Sequence, residues 1–196
     1  MSEQQKRGSY AKGDAKRDEI LTHAVEVFGR YGYHATSMRE VAKECGLSQA
    51  GLLHHFPNKE ALLLALVEKR QDNEVLADLL KTKLWTEAFY EQMLANLEAE
   101  PLTRLWANLV GEATDRDHPA HAYFLKRYKQ TREAFAKMLA YGDLRKDVTH
   151  EDRLRASILV ALWDGLQTQW LLDADFDMKE PFEYAMKLLS QKPLKR

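Results

Sequence analysis

Apolar residues recur at helical spacing along most of the chain. Ile20, Leu21, Ala24, Val25 and Phe28 form one stripe at intervals of three and four. That stripe predicts a helix from about Ala15 to Tyr31, closed by Gly32 as a C-terminal glycine in "RYGYHA". A second helix is predicted to start behind Ser37, an N-cap with Glu40 three residues on as its capping box, and to stop at Gly46. A third, very short helix begins at Ser48 and ends before Pro57. A fourth starts at the N-cap Asn58 and carries Leu62, Leu63, Leu66 and Val67. Further starts are marked by Thr86, by Pro101 and Pro119 as first helical residues, and by Thr149 ahead of "HEDRLRASILVALWDGLQTQWLL". A last helix spans roughly Asp177 to Leu189. The pattern predicts an all-α chain of about nine helices, three in a small unit and roughly six in a larger bundle. The seam falls inside the fourth helix, with domains at 14–60 and 61–196 behind a flexible basic arm at 1–13.

Composition agrees with this reading. Leu, Ala, Glu and Lys dominate, while Gly, Pro and long β-branched runs are sparse. The 45% apolar share is enough for a real core. One cysteine excludes an internal disulfide framework. The polar start "MSEQQKRGSYAKGDAKR" has no apolar centre, so no signal peptide is expected and a soluble, cytoplasmic protein is. A net charge of -1 argues against a histone-like electrostatic binder. The first seventeen residues are basic, however, with Lys6, Arg7, Lys12, Lys16 and Arg17 against only Glu3 and Asp14. They can reach phosphates, although a solubilising terminus explains the same charge.

The stretch "TSMREVAKECGLSQAGLLHHFPNKEALL" is where the pattern becomes chemistry. A helix-turn-helix needs a small residue where its helices approach, and Ala42 supplies it. It needs a residue tolerant of positive φ in the turn, and Gly46 follows four residues later. Leu47 then plugs into the core, and Leu52 and Phe56 anchor the inner face of the second helix. The outer face, Gln49, Ala50, Gly51 and His54, is small or polar, as entry into the major groove requires. Ser37 and the helix starts offer phosphate donors, and Arg39 and Lys59 offer charge.

On these residues, "ILTHAVEVFGRYGYHATSMREVAKECGLSQAGLLHHFPNKEALLLALV" resembles the TetR family of transcriptional regulators. The later "LVALWDGLQTQWLLDADFD" resembles the dimerisation helix of the BetI-like subgroup. The resemblance implies a three-helix helix-turn-helix DNA-binding head on a six-helix ligand-binding and dimerisation body. It implies a recognition helix from Gln49 to His55, with DNA contacts from Ser37, Arg39, Gln49, Ala50, Gly51, Leu53, His54, His55 and Lys59. Many members carry a tyrosine where Leu53 stands, and its hydroxyl grips a phosphate. Here either His54 or His55 takes that role, or Leu53 packs on a thymine methyl or a sugar.

In the body, Ala156 to Leu172 is apolar on almost every side, which predicts burial all round. Asp164, Gln167 and Gln169 interrupt it, so no membrane span is expected. A partner helix is expected to lie against it, with Gly165 permitting close approach. The expected dimer interface comprises Ile158, Leu162, Gly165, Leu166, Gln169 and Trp170 with Phe182 and Met186 of the last helix. A two-fold dimer reads a palindrome with half-sites about 34–36 Å apart. Trp85, Phe89, Met93, Trp106, Tyr123, Tyr128 and Trp163, together with Phe124, are candidate lining for a small hydrophobic or aromatic effector. Each taken singly is more simply core.

Enzyme chemistry is not expected, since neither a phosphate-binding loop nor a nucleophile elbow is present. No cofactor or metal is expected either. His54 and His55 are adjacent and point about a hundred degrees apart. His118 and His121 are three apart with His150 elsewhere, and a site needs three or four ligands. Cys45 reads as core. Asp115, Asp117, Asp173, Asp175 and Asp177 read as loop residues without the glycine and glutamate of a calcium loop. The sequence therefore points to a homodimeric repressor on a palindromic operator in double-stranded DNA, released by a small molecule. The alternatives are a regulator that needs a co-repressor and a helical interaction protein without a DNA role.

Overall fold

The structure, a computed structural model, describes residues 3–71, 100–142 and 147–190. Among the described residues there are eight helices and no strand. They are α1 (Glu3–Tyr31), α2 (Met38–Glu44), α3 (Gln49–His55), α4 (Lys59–Gln71), α5 (Glu100–Glu112), α6 (His121–Gly142), α7 (His150–Leu172) and α8 (Lys179–Ser190). The helix expected behind Thr86 lies outside the described residues. One compact unit gathers α1 to α4 with α5 and the loop that follows it, and a second holds α6 to α8. The first unit is thus larger than the 14–60 head read from the sequence, because α5 joins it.

α1 begins at Glu3, so the segment expected as a flexible arm continues the first helix. Its residues are mostly Glu, Gln, Lys, Arg and Ala, which lose little rotamer freedom in a helix. Gly8 and Gly13 weaken it by only about 1 kcal/mol each. Ile20, Leu21, Ala24 and Phe28 are buried as the stripe predicts; Val27 is also buried, and Val25 only partly. Gly32 then adopts φ 79° and ends the helix. A Cβ there would also sit 2.7 Å from Glu112 Oε1, the end of a flexible side chain, so the positive φ is what reserves the position for glycine.

α5 starts at Glu100, one residue before Pro101. Pro119 does not open α6, which starts at His121. The chain from Asp115 instead turns back on itself, with the His118 amide donating to the Asp115 carbonyl. This turn carries the His118 side chain inward.

The second unit has its own core. Phe135, Met138 and Leu139 of α6 meet Leu159, Val160 and Leu166 of α7, with Met178 and Phe182 closing one end. Thr149 caps α7 as expected, and Asp152 completes a capping box by accepting from the Thr149 amide. Between α6 and α7 the Tyr128 hydroxyl donates to Asp164 Oδ2 at 2.6 Å. Burial raises the Asp164 carboxyl above its usual range, although that hydrogen bond and Arg127 oppose the shift. A raised native value means that the folded chain takes up the proton more readily than the unfolded one. Asp164 therefore costs stability at neutral pH, and the cost disappears as the pH falls through its native value toward about 4. Asp164→Asn keeps an acceptor for Tyr128 without the charge. It is expected to melt above the wild type at pH 7, with the gap narrowing on acidification; a constant gap would contradict this origin.

Candidate nucleic-acid interface

The helix pair α2–α3 is built by its caps. Ser37 Oγ accepts from the Glu40 amide, and the Glu40 carboxylate accepts from both the Ser37 amide and hydroxyl. Those bonds hold the Glu40 carboxyl below its usual range. Ser37→Ala is expected to cost about 1 kcal/mol of head stability, read as a lowered melting temperature; an unchanged melt would show that the cap is idle. α2 ends at Glu44 with Cys45 as its C-cap, and Gly46 takes φ 64°. The Leu47 amide then donates back to the Ala42 carbonyl at 2.8 Å. Ala42 is buried at this closure, whereas Leu47 is only half-buried, short of the full plug its position suggests. Ser48 caps α3 by accepting from the Gly51 amide.

α3 divides cleanly into two faces. Leu52 is fully buried, and Phe56 follows it inward. Gln49, Ala50, Leu53 and His54 are exposed, and Gly51 and His55 are half-buried. Leu53, 39% exposed, sits among the outward residues and so offers an apolar contact where many TetR members carry a hydroxyl. On α2 and its cap, Ser37, Arg39 and Lys43 are exposed. Arg39 and Lys43 lie four apart and so share a side of the helix; Lys43 is an addition to the residues carried over from the family.

Two basic residues do something other than expected. Lys59 turns inward. Its ammonium donates to the Tyr33 and Thr36 carbonyls at 2.8 and 2.9 Å and lies 4.3 Å from the Tyr33 ring centroid. Its donors are engaged by carbonyls of the turn between α1 and α2, so it clamps that turn. Arg17, read as part of the arm, lies 4.2 Å over the Phe56 ring and donates to the His55 carbonyl. It therefore caps the C-terminal end of α3, where a cation also complements the helix dipole. Both roles join residues far apart in sequence, and no local spacing announces them.

The other expected sites distribute as follows. Trp106 is buried in the first unit, while Tyr123, Tyr128 and Trp163 belong to the second. Trp85, Phe89 and Met93 lie outside the described residues. α7 is not apolar and buried all round. Leu166 and Phe182 lie inside the chain's own core, and Leu162, Trp170 and Met186 pack partly against it. Ile158, Gly165 and Gln169 are exposed. They fall on one stripe with Leu154 and Leu172, and Tyr184 and Leu188 of α8 are exposed as well. Leu166 and Phe182 thus leave the expected interface, because the interior of the unit takes them first.

A three-helix head with a capped, outward-facing short helix is a DNA-binding module of the helix-turn-helix class. Residues 20–66 match the family model described as bacterial regulatory proteins, tetR family. The chain is 38% identical over 58 residues to the HTH-type transcriptional regulator RutR of Escherichia coli, covering 30% of this chain and 27% of that protein. It is 40% identical over 70 residues to the HTH-type transcriptional activator FasR of Mycolicibacterium smegmatis, covering 36% and 32%. These matches thus span about a third or less of the curated relatives' own length. The fold extends further. A TetR transcriptional regulator from Chloroflexus aurantiacus superposes with a TM-score of 0.71 at 21% identity, over 92% of this chain and 94% of that one. NalD, the secondary repressor of the MexAB-OprM multidrug efflux pump in Pseudomonas aeruginosa, gives 0.64 at 23% identity, over 91% and 95%. Residues 20–66 thus resemble the DNA-binding segment of that family, and the chain shares the all-α fold of these solved structures.

Proposed function

We propose that this chain is a homodimeric transcriptional repressor that binds a palindromic operator through α3 and is released by a small hydrophobic or aromatic effector. It acts in the cytoplasm as a binding protein and not as an enzyme. The observation that carries the reading is the outward face of α3, where Gln49, Ala50, Leu53 and His54 stand exposed on a helix anchored by Leu52 and Phe56. Exposed Arg39 and Lys43 supply the phosphate attraction expected beside such a helix. The match of residues 20–66 to the tetR family model and the regulators that resemble this segment support it.

The dimer is supported by the exposed apolar stripe on α7, Leu154, Ile158, Gly165 and Leu172, with Tyr184 and Leu188 on α8. Monomers rarely leave such surface uncovered. The resemblance of "LVALWDGLQTQWLLDADFD" on α7 to BetI-like regulators supports a BetI-like body. An effector acts by binding the DNA-competent and DNA-incompetent forms unequally. The described helices carry no segment long and apolar enough to cross a membrane.

The test is selection of genomic fragments on purified full-length protein at low and moderate salt. Specific complexes outlast the counterion-driven background as salt rises. Enrichment of a palindrome with half-sites about 34–36 Å apart is the expected result. No enrichment from a folded dimer, with or without candidate effectors, would contradict it.

A further inference from the structure

Three ligand-type side chains from three places in the first unit converge beside the α1–α2 turn. They are His34 in that turn, Glu112 at the end of α5 and His118 in the loop behind it. One ligand atom from each lies within 4.8 Å of the others. The His34 and His118 rings are 5.3 Å apart between centroids, and His118 Nε2 is 3.6 Å from Glu112 Oε2. The His118 side chain has no exposed surface, and its Nε2 has no hydrogen-bond partner. Buried polar atoms are nearly always satisfied, so an orphan nitrogen aimed at a carboxylate and a second imidazole calls for a missing partner.

We propose that His34, Glu112 and His118 bind one zinc-type divalent transition-metal ion, with solvent completing its shell. Two imidazoles and a carboxylate are a ligand set that such ions favour. A tetrahedral ion with bonds of about 2.0–2.1 Å holds its ligand atoms roughly 3.4 Å apart. His118 and Glu112 already stand near that spacing. His34 is exposed, so its ring can close the remaining gap and solvent has an entry path. The Tyr33 amide lies 3.1 Å from both Glu112 oxygens and donates to them, the kind of outer contact that orients a ligating carboxylate. The Ala120 amide donates to His118 Nδ1 at 3.2 Å, which places the imidazole proton on Nε2 in the metal-free chain. Binding through Nε2 requires the neutral tautomer with its proton on Nδ1, so loading moves the proton there and gives up this one long hydrogen bond. His121, three residues from His118 in sequence, takes no part in the cluster. The ion would tie the turn that leads into α2 to the end of α5. The inference concerns binding alone and stands apart from the DNA-reading role.

The experiment titrates untagged full-length protein with Zn²⁺ by calorimetry, with Co²⁺ absorption as a second readout. One ion per chain is expected, with a visible Co²⁺ band from imidazole ligation and a melting temperature that rises with metal. His34→Ala changes an exposed residue and should leave the fold intact; it is expected to weaken binding at least tenfold, and Glu112→Gln likewise. Failure of the wild type to bind one equivalent at micromolar Zn²⁺ would overturn the site and leave the cluster as an imidazole–carboxylate contact only. Undiminished binding by the folded His34→Ala protein would overturn it too, because the ion would then lie elsewhere.

Discussion

Ala50→Glu is expected to abolish sequence-specific DNA binding while leaving the chain folded. Ala50 is exposed in the first turn of α3, on the face opposite the buried Leu52. A carboxylate there meets the phosphates and base edges that the helix must approach. Like-charge juxtaposition at an interface costs several kcal/mol, so a loss of about a hundredfold or more in affinity is expected. The fold should not suffer, because an acidic side chain at a helix N-terminus complements the dipole. This makes Ala50 a better probe than Gly51, where an added Cβ would lie 3.3 Å from the Ser48 hydroxyl and disturb the cap itself. Fluorescence anisotropy on the selected operator, beside a circular-dichroism melt, checks both halves. Wild-type affinity in the variant would mean that α3 does not enter the groove.

The second large effect is expected at Ile158. This residue is 54% exposed in the middle of the α7 stripe. In a two-fold dimer the same patch faces its own copy, so Ile158→Glu places two carboxylates across one interface. Burying unpaired charges of like sign is expected to weaken the dimer by about a hundredfold or more. Sedimentation equilibrium at micromolar protein should then find the monomer, with unchanged helix content and loss of palindrome binding. A variant that stays dimeric with wild-type affinity would move the interface off this face.

Much of this was legible in the sequence, and the reasons are local. The capping box at Ser37–Glu40, the Thr149 cap, and the positive-φ glycines Gly32 and Gly46 involve residues within a few positions of one another. Short-range chemistry of that kind fixes where helices start and stop. The inner and outer faces of α3 followed from spacing for the same reason. What was not legible depends on distant partners. Lys59 looks like a phosphate ligand until the Tyr33 and Thr36 carbonyls are seen to hold it. Arg17 looks like part of a loose arm until Phe56 is seen beneath it. His118 pairs in sequence with His121, but the turn from Asp115 brings it to His34 and Glu112 instead. On α7, a helix apolar on most sides does not reveal which side its own core takes. Leu166 went inward while Ile158 stayed outside.

The central claim is that α3 reads base edges in both halves of a palindrome. The most direct measurement compares the sequences enriched by wild-type protein with those enriched by Gln49→Ala. Gln49 is exposed at the start of α3, where a glutamine can pair bidentately with adenine. Loss of preference at one matching position in each half-site, with the rest of the palindrome kept, is the predicted result. An identical enriched sequence from both proteins at equal affinity would contradict it at Gln49, and the same outcome at His54 would remove α3 from the role.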